Sequence, residues 1–224
     1  MFTIHVEINL MIQIKKFVFN PFQVNTYILF DDTKECVIID AACANEEEES
    51  RLSNFITQMG LTPVLLLSTH AHIDHVLGNA FVAERYGLQL TAHKDGAMYL
   101  DNATAYAESF GLRLEKVIEP KHFIDDNDYL QFGSSSLKVL HAPGHADGSL
   151  CFYNEADAFV IAGDVLFYQS IGRTDLPGGD YDKLKSSIWG KLFVLPDETV
   201  VYPGHGPETT IGSEKINNPF VAIG

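Results

Sequence analysis

The chain has 224 residues, of which 46% are hydrophobic, enough to fill a sizeable core in one domain or at most two small ones. This composition excludes intrinsic disorder, collagen and disulfide miniproteins. The chain has 30 acidic and only 15 basic residues, so its formal charge is −15. We therefore expect the surface to repel nucleic acid and anionic membranes, and we predict no nucleic-acid partner.

Three cysteines, Cys36, Cys43 and Cys151, are odd in number and show no CxxC spacing. This usage fits a reducing compartment, and we expect each to be a small buried hydrophobe. The start of the chain shows no basic leader and no cleavage site, and no apolar stretch approaches the ~18 residues of a membrane span. We therefore expect a cytoplasmic protein without a membrane partner. Because a second methionine stands at Met11, residues 1–10 are a possible N-terminal extension and residues 11–224 are predicted to form a single domain.

The first predicted elements are β-strands, recognised from dense β-branched and aromatic residues: Ile12–Phe19, Thr26–Phe30 and Cys36–Ala41. Asn45 followed by four glutamates predicts the start of a helix, because a capping side chain and carboxylates stabilise its positive end. We expect this helix to run to about Met59. The continuous apolar run VLLLST then predicts a strand buried on both faces, directly before His70.

Two more helices are predicted over Asn79–Tyr86 and residues 96–111, with a short strand in LQLTAH between them. After Pro120 the order of strands and then a helix repeats, with mainly β-structure, a helix over Asp182–Leu192 and a last strand in ETVVYPGH. Two halves of strands and helices would pack sheet against sheet with the helices outside. The sequence therefore predicts an α+β fold, a four-layer sandwich.

The strongest functional signal is the run THAHIDH at residues 69–75, which follows the buried strand. In an extended loop His70 and His72 point to the same side, and a following helical turn brings Asp74 and His75 to a neighbouring position. One loop could thus serve two adjacent metals. Nitrogen and carboxylate ligands suit Zn²⁺, and also iron or manganese, whereas the absence of thiolates disfavours a structural cysteine-type zinc site.

Three further candidate ligands also end predicted strands: His145, Asp164 and His205. Because strand ends would gather at one edge of the sandwich, we expect them to join the same site. The remaining histidines are expected to be ordinary packed or surface residues: His5, His93, His122 and His141.

In this order, THAHIDH, HAPGH with DGS after it, GDVLF and VYPGHG resemble the metallo-β-lactamase-fold hydrolases, and the motifs span nearly the whole chain. The resemblance implies a four-layer αββα sandwich with two mixed β-sheets face to face. It also implies His70, His72 and His145 on a first metal, Asp74, His75 and His205 on a second, and Asp164 bridging both. The segment IGRTDLPGGD further resembles the glyoxalase II-like (hydroxyacylglutathione hydrolase) branch, in a short form without the C-terminal helical extension, and also the persulfide dioxygenases.

The function implied is a binuclear metal-dependent hydrolase of S-(2-hydroxyacyl)glutathione-type thioesters, in which hydroxide bridging two divalent metals, Zn²⁺ first among them, attacks the acyl carbon. No side-chain nucleophile is needed, in keeping with the lack of a G-x-S-x-G motif. Asp74 is a candidate proton acceptor, and Asp40 is a candidate orienter of a ligand histidine. Arg173 is the candidate contact for an anionic substrate group, with a buried structural ion pair to Asp175 or Asp180 as the open alternative.

Other functions stay open at this point. A mononuclear iron persulfide dioxygenase would use a face of two histidines and one carboxylate, formed by Asp164, His70 and either His145 or His72. A metal-binding scaffold without catalysis is disfavoured by the complete ligand set, and a β-lactamase is disfavoured because no export signal is visible. The metal identity, the thiol carrier and the oligomeric state are left open by the sequence.

Overall fold

The computed structural model describes residues 11–114 and 116–223. The possible N-terminal extension, residues 1–10, lies outside the described residues, and the single domain over residues 11–224 stays a prediction. Among the helices described, none is both long enough and apolar enough to cross a membrane.

The first sheet is built from the first half of the chain. Its strands are β1 (Gln13–Phe19), β2 (Val24–Phe30), β3 (Glu35–Ile39), β4 (Thr62–Leu67), β5 (Leu90–Ala92) and β6 (His122–Phe123). They lie side by side in chain order. The pairs from β1 to β3 are antiparallel and those from β3 to β6 are parallel, so the sheet is mixed.

The second half supplies β7 (Tyr129–Phe132), β8 (Ser135–His141), β9 (Leu150–Asn154), β10 (Phe159–Gly163), β11 (Leu166–Phe167), β12 (Ser170–Ile171), β13 (Val200–Pro203) and β14 (Thr209–Thr210). The second sheet has the order β14-β13-β10-β9-β8-β7, and β11 and β12 form a separate small hairpin. Only β10 and β13 pair in parallel within the second sheet, which is therefore mixed as well.

The helices are α1 (Glu46–Met59), α2 (Ile73–Val76), α3 (Asn79–Tyr86), α4 (Ala103–Ser109), α5 (Tyr181–Ser187) and α6 (Ile211–Asn217). The predicted start and end of α1 are confirmed. The Asn45 side chain accepts a hydrogen bond from the Glu48 backbone N–H at 3.0 Å, and Gly60 closes the helix in the left-handed conformation at φ 63°.

Two sequence predictions of helices need correction. The helix expected over residues 96–111 is split into a 3₁₀ turn, Lys94–Tyr99, and the short α4. Asp101 and Asn102 stand at the break, where short polar side chains favour caps and turns over helix interiors. The last predicted helix changes after α5 into a π-helical turn, Ile188–Leu192.

Three apolar layers hold the sandwich together. Between the sheets, Leu29 and Ile39 share one cluster with Phe152 and Ile161 of the second sheet. On the outer face of the first sheet, α1 and α3 contribute a second cluster through Leu52, Ile56 and Val82. On the outer face of the second sheet, α5, the π-helical turn and α6 contribute a third through Leu184, Ile188 and Ile211. The four-layer αββα fold of two mixed sheets is confirmed.

The central strands are apolar along their whole length because both of their faces are covered. In β3, Val37 and Ile39 face the second sheet while Cys36 and Ile38 face the helix layer. The three cysteines are buried and unpaired, in agreement with their prediction as small hydrophobes.

Candidate metal centre

The residues predicted as metal ligands follow the ends of strands from both sheets. β4 leads into the loop that carries His70 and His72, and α2 then presents Asp74 and His75. The other three stand just beyond β10 and β13 and in the loop after β8: Asp164, His205 and His145. Because β10 and β13 are parallel neighbours, Asp164 and His205 leave the second sheet at the same edge. Side chains up to 135 residues apart in sequence thus meet at one place.

Two groups of three side chains form there. His70, His72 and His145 make the first group, here called the histidine triad, and Asp74, His75 and His205 make the second, here called the mixed triad. Within each group, one nitrogen or oxygen atom from every residue lies within 4.8 Å of the others. The Oδ2 atom of Asp164 lies 3.6 Å from Nε2 of His145 and 3.4 Å from Nε2 of His205. One carboxylate therefore stands between the two triads.

The donor atoms at this place fit divalent metal ions. Nε2 of His70, Nε2 of His145 and Oδ1 of Asp164 are buried and have no hydrogen-bond partner. A buried polar atom left without a partner costs about 1–3 kcal/mol, so such atoms gathered in one place call for a shared partner. Imidazole nitrogens and carboxylate oxygens are the ligands that zinc, iron and manganese take in proteins.

The carboxylate of Asp40 holds ligands of both triads in position. It is buried at the end of β3, and its Oδ2 atom accepts a hydrogen bond from Nδ1 of His75 at 3.0 Å. The same oxygen accepts from the Thr69 hydroxyl at 2.7 Å, and the Thr69 backbone N–H donates to Oδ1 at 2.7 Å. Since the hydroxyl proton points to Asp40, the Thr69 oxygen accepts from Nδ1 of His70, at 3.0 Å. Asp40 thus orients His75 directly and His70 through Thr69.

Backbone carbonyls orient two further imidazoles. Nδ1 of His145 donates to the carbonyl oxygen of Arg173 at 2.8 Å, and Nδ1 of His205 donates to that of Phe22 at 3.0 Å. In each ring Nδ1 carries the donated proton, so Nε2 is the nitrogen that faces the centre. The sequence pattern indicated no role for Thr69 or Phe22, although Thr69 opens the THAHIDH motif.

The histidine triad favours neutral imidazoles. Burial lowers the pKa of His70 well below its usual range, and the imidazoles of His75 and His72 add to the effect. Burial and the nearby ring of His145 lower the pKa of His72 to about 4. Burial also lowers the pKa of His145. At neutral pH these rings carry free lone pairs, the form in which imidazole binds a metal.

The mixed triad has the opposite charge state. Burial alone would lower the pKa of His75, but the carboxylates of Asp164, Asp74 and Asp40 outweigh it and raise that pKa well above its usual range. Burial also acts to lower the pKa of His205, but contacts with Asp164 and Asp74 outweigh it and raise that pKa to about 9. Burial works to raise the pKa of Asp164, yet His75 and His205 hold it well below its usual range. Without a metal, this half of the centre is a set of ion pairs.

Two glycines, Gly204 and Gly172, lie so close to residues of the centre that a larger side chain would collide with them. A methyl group on Gly204 would stand 2.1 Å from Oδ1 of Asp164 and 2.9 Å from Cε1 of His75. On Gly172 it would stand 1.9 Å from the carbonyl oxygen of Asp164. All three distances are shorter than van der Waals contact, so these positions require glycine for lack of space rather than for its backbone conformation.

The centre opens into a cavity of about 230 Å³. Beside the ligand residues, its wall is formed by Phe22, Ile73, Tyr106, Phe110, Arg173 and Leu176. The guanidinium of Arg173 donates from Nε and Nη2 to the two carboxylate oxygens of Asp175, both at 2.7 Å, and this pair is exposed. Arg173 therefore lines the cavity, and its ion pair with Asp175 lies at the surface and not in the buried form expected as the alternative; its contact with substrate stays a prediction.

A further group of possible ligands, His93, Asp125 and His141, lies apart from this centre. The rings of His93 and His141 stack 4.1 Å apart with an interplanar angle of 14°. Each imidazole lone pair lies in the plane of its own ring, so two parallel stacked rings do not direct their nitrogens at one ion. The geometry therefore agrees with the expectation that His93 and His141 are packed residues.

Comparison with known proteins finds relatives over nearly the whole chain. The family model described as the metallo-beta-lactamase superfamily matches residues 19–205. The probable metallo-hydrolase YqgX of Bacillus subtilis is 37% identical over 202 residues, which cover 90% of this chain and 93% of that protein. The hydroxyacylglutathione hydrolase GloC of Haemophilus influenzae is 35% identical over 202 residues, with 89% and 93% covered.

Solved structures agree with the sequence relatives. The crystal structure of the BLEG-1 B3 metallo-beta-lactamase is similar with a TM-score of 0.84 and 37% identity, covering 93% of this chain and 99% of that one. The crystal structure of TTHA1623 in a di-iron-bound form is similar with a TM-score of 0.82 and 36% identity, covering 92% and 99%. With its two mixed sheets, its cluster of histidines and aspartates and these relatives, the chain belongs to the metallo-beta-lactamase superfamily of metallo-hydrolases.

Proposed function

We propose that this protein is a binuclear metal-dependent hydrolase that cleaves thioesters of the S-(2-hydroxyacyl)glutathione type. The observation that carries the proposal is the pair of triads with Asp164 between them. In the proposed site the histidine triad would hold one divalent metal, the mixed triad would hold a second, and Asp164 would serve as a ligand shared between them. Zn²⁺ is the first choice for these nitrogen and carboxylate ligands, and iron is the second, because TTHA1623 has been crystallised in a di-iron-bound form.

The bound metals would supply acidified water and a polarised carbonyl at neutral pH. In the net reaction water adds across the thioester: a C–O bond forms, the C–S bond breaks, and the products are a carboxylic acid and a thiol. A thiolate leaves readily, so the reaction needs no strong acid beside the leaving group. Similarity to GloC of Haemophilus influenzae, named as a hydroxyacylglutathione hydrolase, supports this substrate class.

Asp74 is the proposed proton acceptor. Its side chain lines the cavity, and its Oδ2 atom lies 3.3 Å from Nε2 of His205. Burial works to raise the pKa of Asp74, but His75 and His205 hold it below its usual value, so the carboxylate is ionised at neutral pH. Arg173, at the rim of the same cavity, is the proposed contact for an anionic group of the thiol carrier. Two donor groups of its guanidinium are engaged by Asp175, and the rest are free to bind.

A second candidate function is that of a mononuclear iron persulfide dioxygenase. The observation that favours it is the group His70, His75 and Asp164, which presents two histidines and one carboxylate within 4.8 Å of one another. This is the ligand type of non-haem iron oxygenases. This group includes His75, which was not expected from the sequence; the set expected there, Asp164 with His70 and either His145 or His72, stays a prediction.

One experiment separates these functions. Purified protein is analysed for metals and then assayed with S-lactoylglutathione and with glutathione persulfide in an oxygen electrode. We expect about two metals per chain and thioester cleavage without oxygen uptake. Rapid oxygen uptake with the persulfide, together with one iron and no thioester cleavage, would establish the dioxygenase instead. A β-lactam serves as the third substrate, because BLEG-1 is named as a lactamase; faster cleavage of the β-lactam than of the thioester would refute the proposal.

A further inference from the structure

Three aromatic side chains form an exposed cluster, here called the aromatic wall. It consists of Phe22, Tyr106 and Phe110, which are 38%, 45% and 49% exposed. The ring of Phe110 meets that of Phe22 edge-on at 5.4 Å between centroids, and that of Tyr106 edge-on at 5.1 Å. Single exposed apolar residues are common on protein surfaces, whereas rings grouped in mutual contact at a cavity indicate a binding surface.

The aromatic wall belongs to the same cavity as the metal centre. All three rings line it together with His72, Asp74, His145, Asp164 and His205. The segment of Phe22 is fixed relative to the centre, because its carbonyl oxygen accepts the hydrogen bond from Nδ1 of His205. Ile73 and Leu176 extend the apolar surface. A ligand that reaches the mixed triad therefore passes alongside these rings.

We propose that the aromatic wall binds the acyl group of the thioester and selects bulky apolar acyl groups over small ones. This inference rests on the proposed function. The carbonyl carbon that is attacked must lie at the metal ligands, so the group bonded directly to that carbon must occupy the adjoining cavity. The cavity, at about 230 Å³, is smaller than the roughly 300–1,000 Å³ of pockets that enclose a whole ligand. It therefore takes one part of the substrate, and its apolar rings match an acyl substituent better than a charged carrier.

The charge at the rim supports this assignment. Arg173 is the cation at the cavity wall, and its bidentate contact with Asp175 holds it in an exposed position at the rim. The polar carrier is thus expected to remain at the mouth while the acyl group contacts the rings. The methyl group of a lactoyl substrate reaches little of this surface, whereas a phenyl ring in the same position can pack against Phe110.

The test measures binding with thioethers, which have no carbonyl and are not hydrolysed. S-benzylglutathione and S-methylglutathione are titrated into the metal-loaded protein by calorimetry. The benzyl carbon next to sulfur stands in for the acyl carbon. We expect the benzyl compound to bind at least about tenfold more tightly. In Phe110→Ala, and separately in Tyr106→Ala, that ratio should fall about threefold or more.

Tyr129→Ala is the matched control, because Tyr129 is 64% exposed on β7 and does not line the cavity. It should keep the wild-type ratio, and metal content and thermal unfolding verify that each variant is folded. Equal affinity of wild type for the two thioethers, including no detectable binding of either, would overturn the inference. So would an unchanged ratio in both variants of the wall.

Hydrolysis of S-mandeloylglutathione and S-lactoylglutathione, which differ by phenyl in place of methyl, separates the two proposals. If neither thioester is cleaved but the benzyl preference exists and depends on Phe110, the hydrolase proposal is wrong and the aromatic wall remains. If both are cleaved at equal kcat/KM and the thioethers bind equally, the hydrolase proposal stands and the wall is not a specificity element.

Discussion

The histidine triad and the mixed triad are neighbours with opposite charge states. His70, His72 and His145 lose protons because burial dominates, whereas His75 and His205 keep them because carboxylates surround them. One loop supplies residues to both halves. The difference shows that the balance between burial and the surrounding carboxylates, rather than residue type, favours a neutral or a protonated imidazole here.

This asymmetry implies an order of metal binding. At neutral pH the histidine triad offers neutral nitrogens and has no proton to release. In the mixed triad, Nε2 of His75 and Nε2 of His205 lie 3.3 Å apart as hydrogen-bond partners, so at least one proton must leave before both nitrogens can bind. We therefore expect the first equivalent of metal to occupy the histidine triad and the second to occupy the mixed triad.

The largest effect is expected from removing the carboxylate that joins the triads. Asp164→Asn keeps the shape of the side chain but removes its charge and its second anionic oxygen. We expect metal content to fall from about two to about one per chain, and thioester turnover to fall more than about 100-fold. Elemental analysis and steady-state kinetics measure both, with thermal unfolding as the control for folding. Wild-type turnover in this variant would show that Asp164 does not join the two halves.

The next-largest effect is expected from weakening the hydrogen bonds that Asp40 makes to His75 and to Thr69. In Asp40→Asn the new side chain also tolerates the backbone φ of 53° at this position. The substitution weakens the hydrogen bonds to His75 and to Thr69 together. Affinity at both triads should fall about 10- to 100-fold. Thr69→Val removes the hydroxyl that links Asp40 to His70, so it should affect the histidine triad alone. A competition titration with a chromophoric chelator resolves the two binding steps; equal losses in both steps for Thr69→Val would contradict the arrangement.

A smaller effect is expected from pH. His205, with its pKa raised to about 9, is protonated at neutral pH in the metal-free protein, so metal must displace that proton. Affinity of the mixed triad should rise about tenfold per pH unit for each displaced proton as pH increases toward 9. His72, with its pKa lowered to about 4, is already neutral, so affinity of the histidine triad should stay nearly constant from about pH 6 to 8. Calorimetry in buffers of different ionisation enthalpy counts the protons, and parallel slopes for the two steps would remove the distinction.

The smallest effect concerns Arg173, which stands at the cavity rim outside both triads. Its pair with Asp175 is exposed, so Arg173→Ala should shift the unfolding temperature by less than about 2 °C and leave metal content unchanged. We expect KM for a glutathione thioester to rise about threefold to tenfold at low salt, since one attractive charge is lost. A neutral thioester is the matched control. An unchanged KM for the anionic substrate would leave Arg173 as a partner of Asp175 alone.

The sequence predicted those features that depend on local order. THAHIDH lies within seven residues, and Asn45 with its glutamates defines a helix start without help from the rest of the chain. The expectation that strand ends gather at one edge also matches the positions of Asp164 and His205, because β10 and β13 are parallel neighbours.

Long-range features escaped prediction for a physical reason. The aromatic wall joins Phe22, in the turn between β1 and β2, to Phe110, just after α4, and no sequence spacing encodes that contact. α6 was missed because it is only seven residues long and has Gly212 in its first turn, where periodicity is weak. Nothing in the pattern indicated that β6 would pair with β5 in the first sheet.

The parallel pairing of β13 beside β10 has a consequence for how the protein is made. His205 follows His145 by 60 residues, so a ribosome adding about 5–20 residues per second exposes it roughly 3–12 s later. Throughout that interval the nascent chain contains every residue of the histidine triad but lacks one residue of the mixed triad. Completion of the mixed triad is therefore tied to the emergence of a strand near the end of synthesis, and in the proposed binuclear site the second metal could bind only after that point.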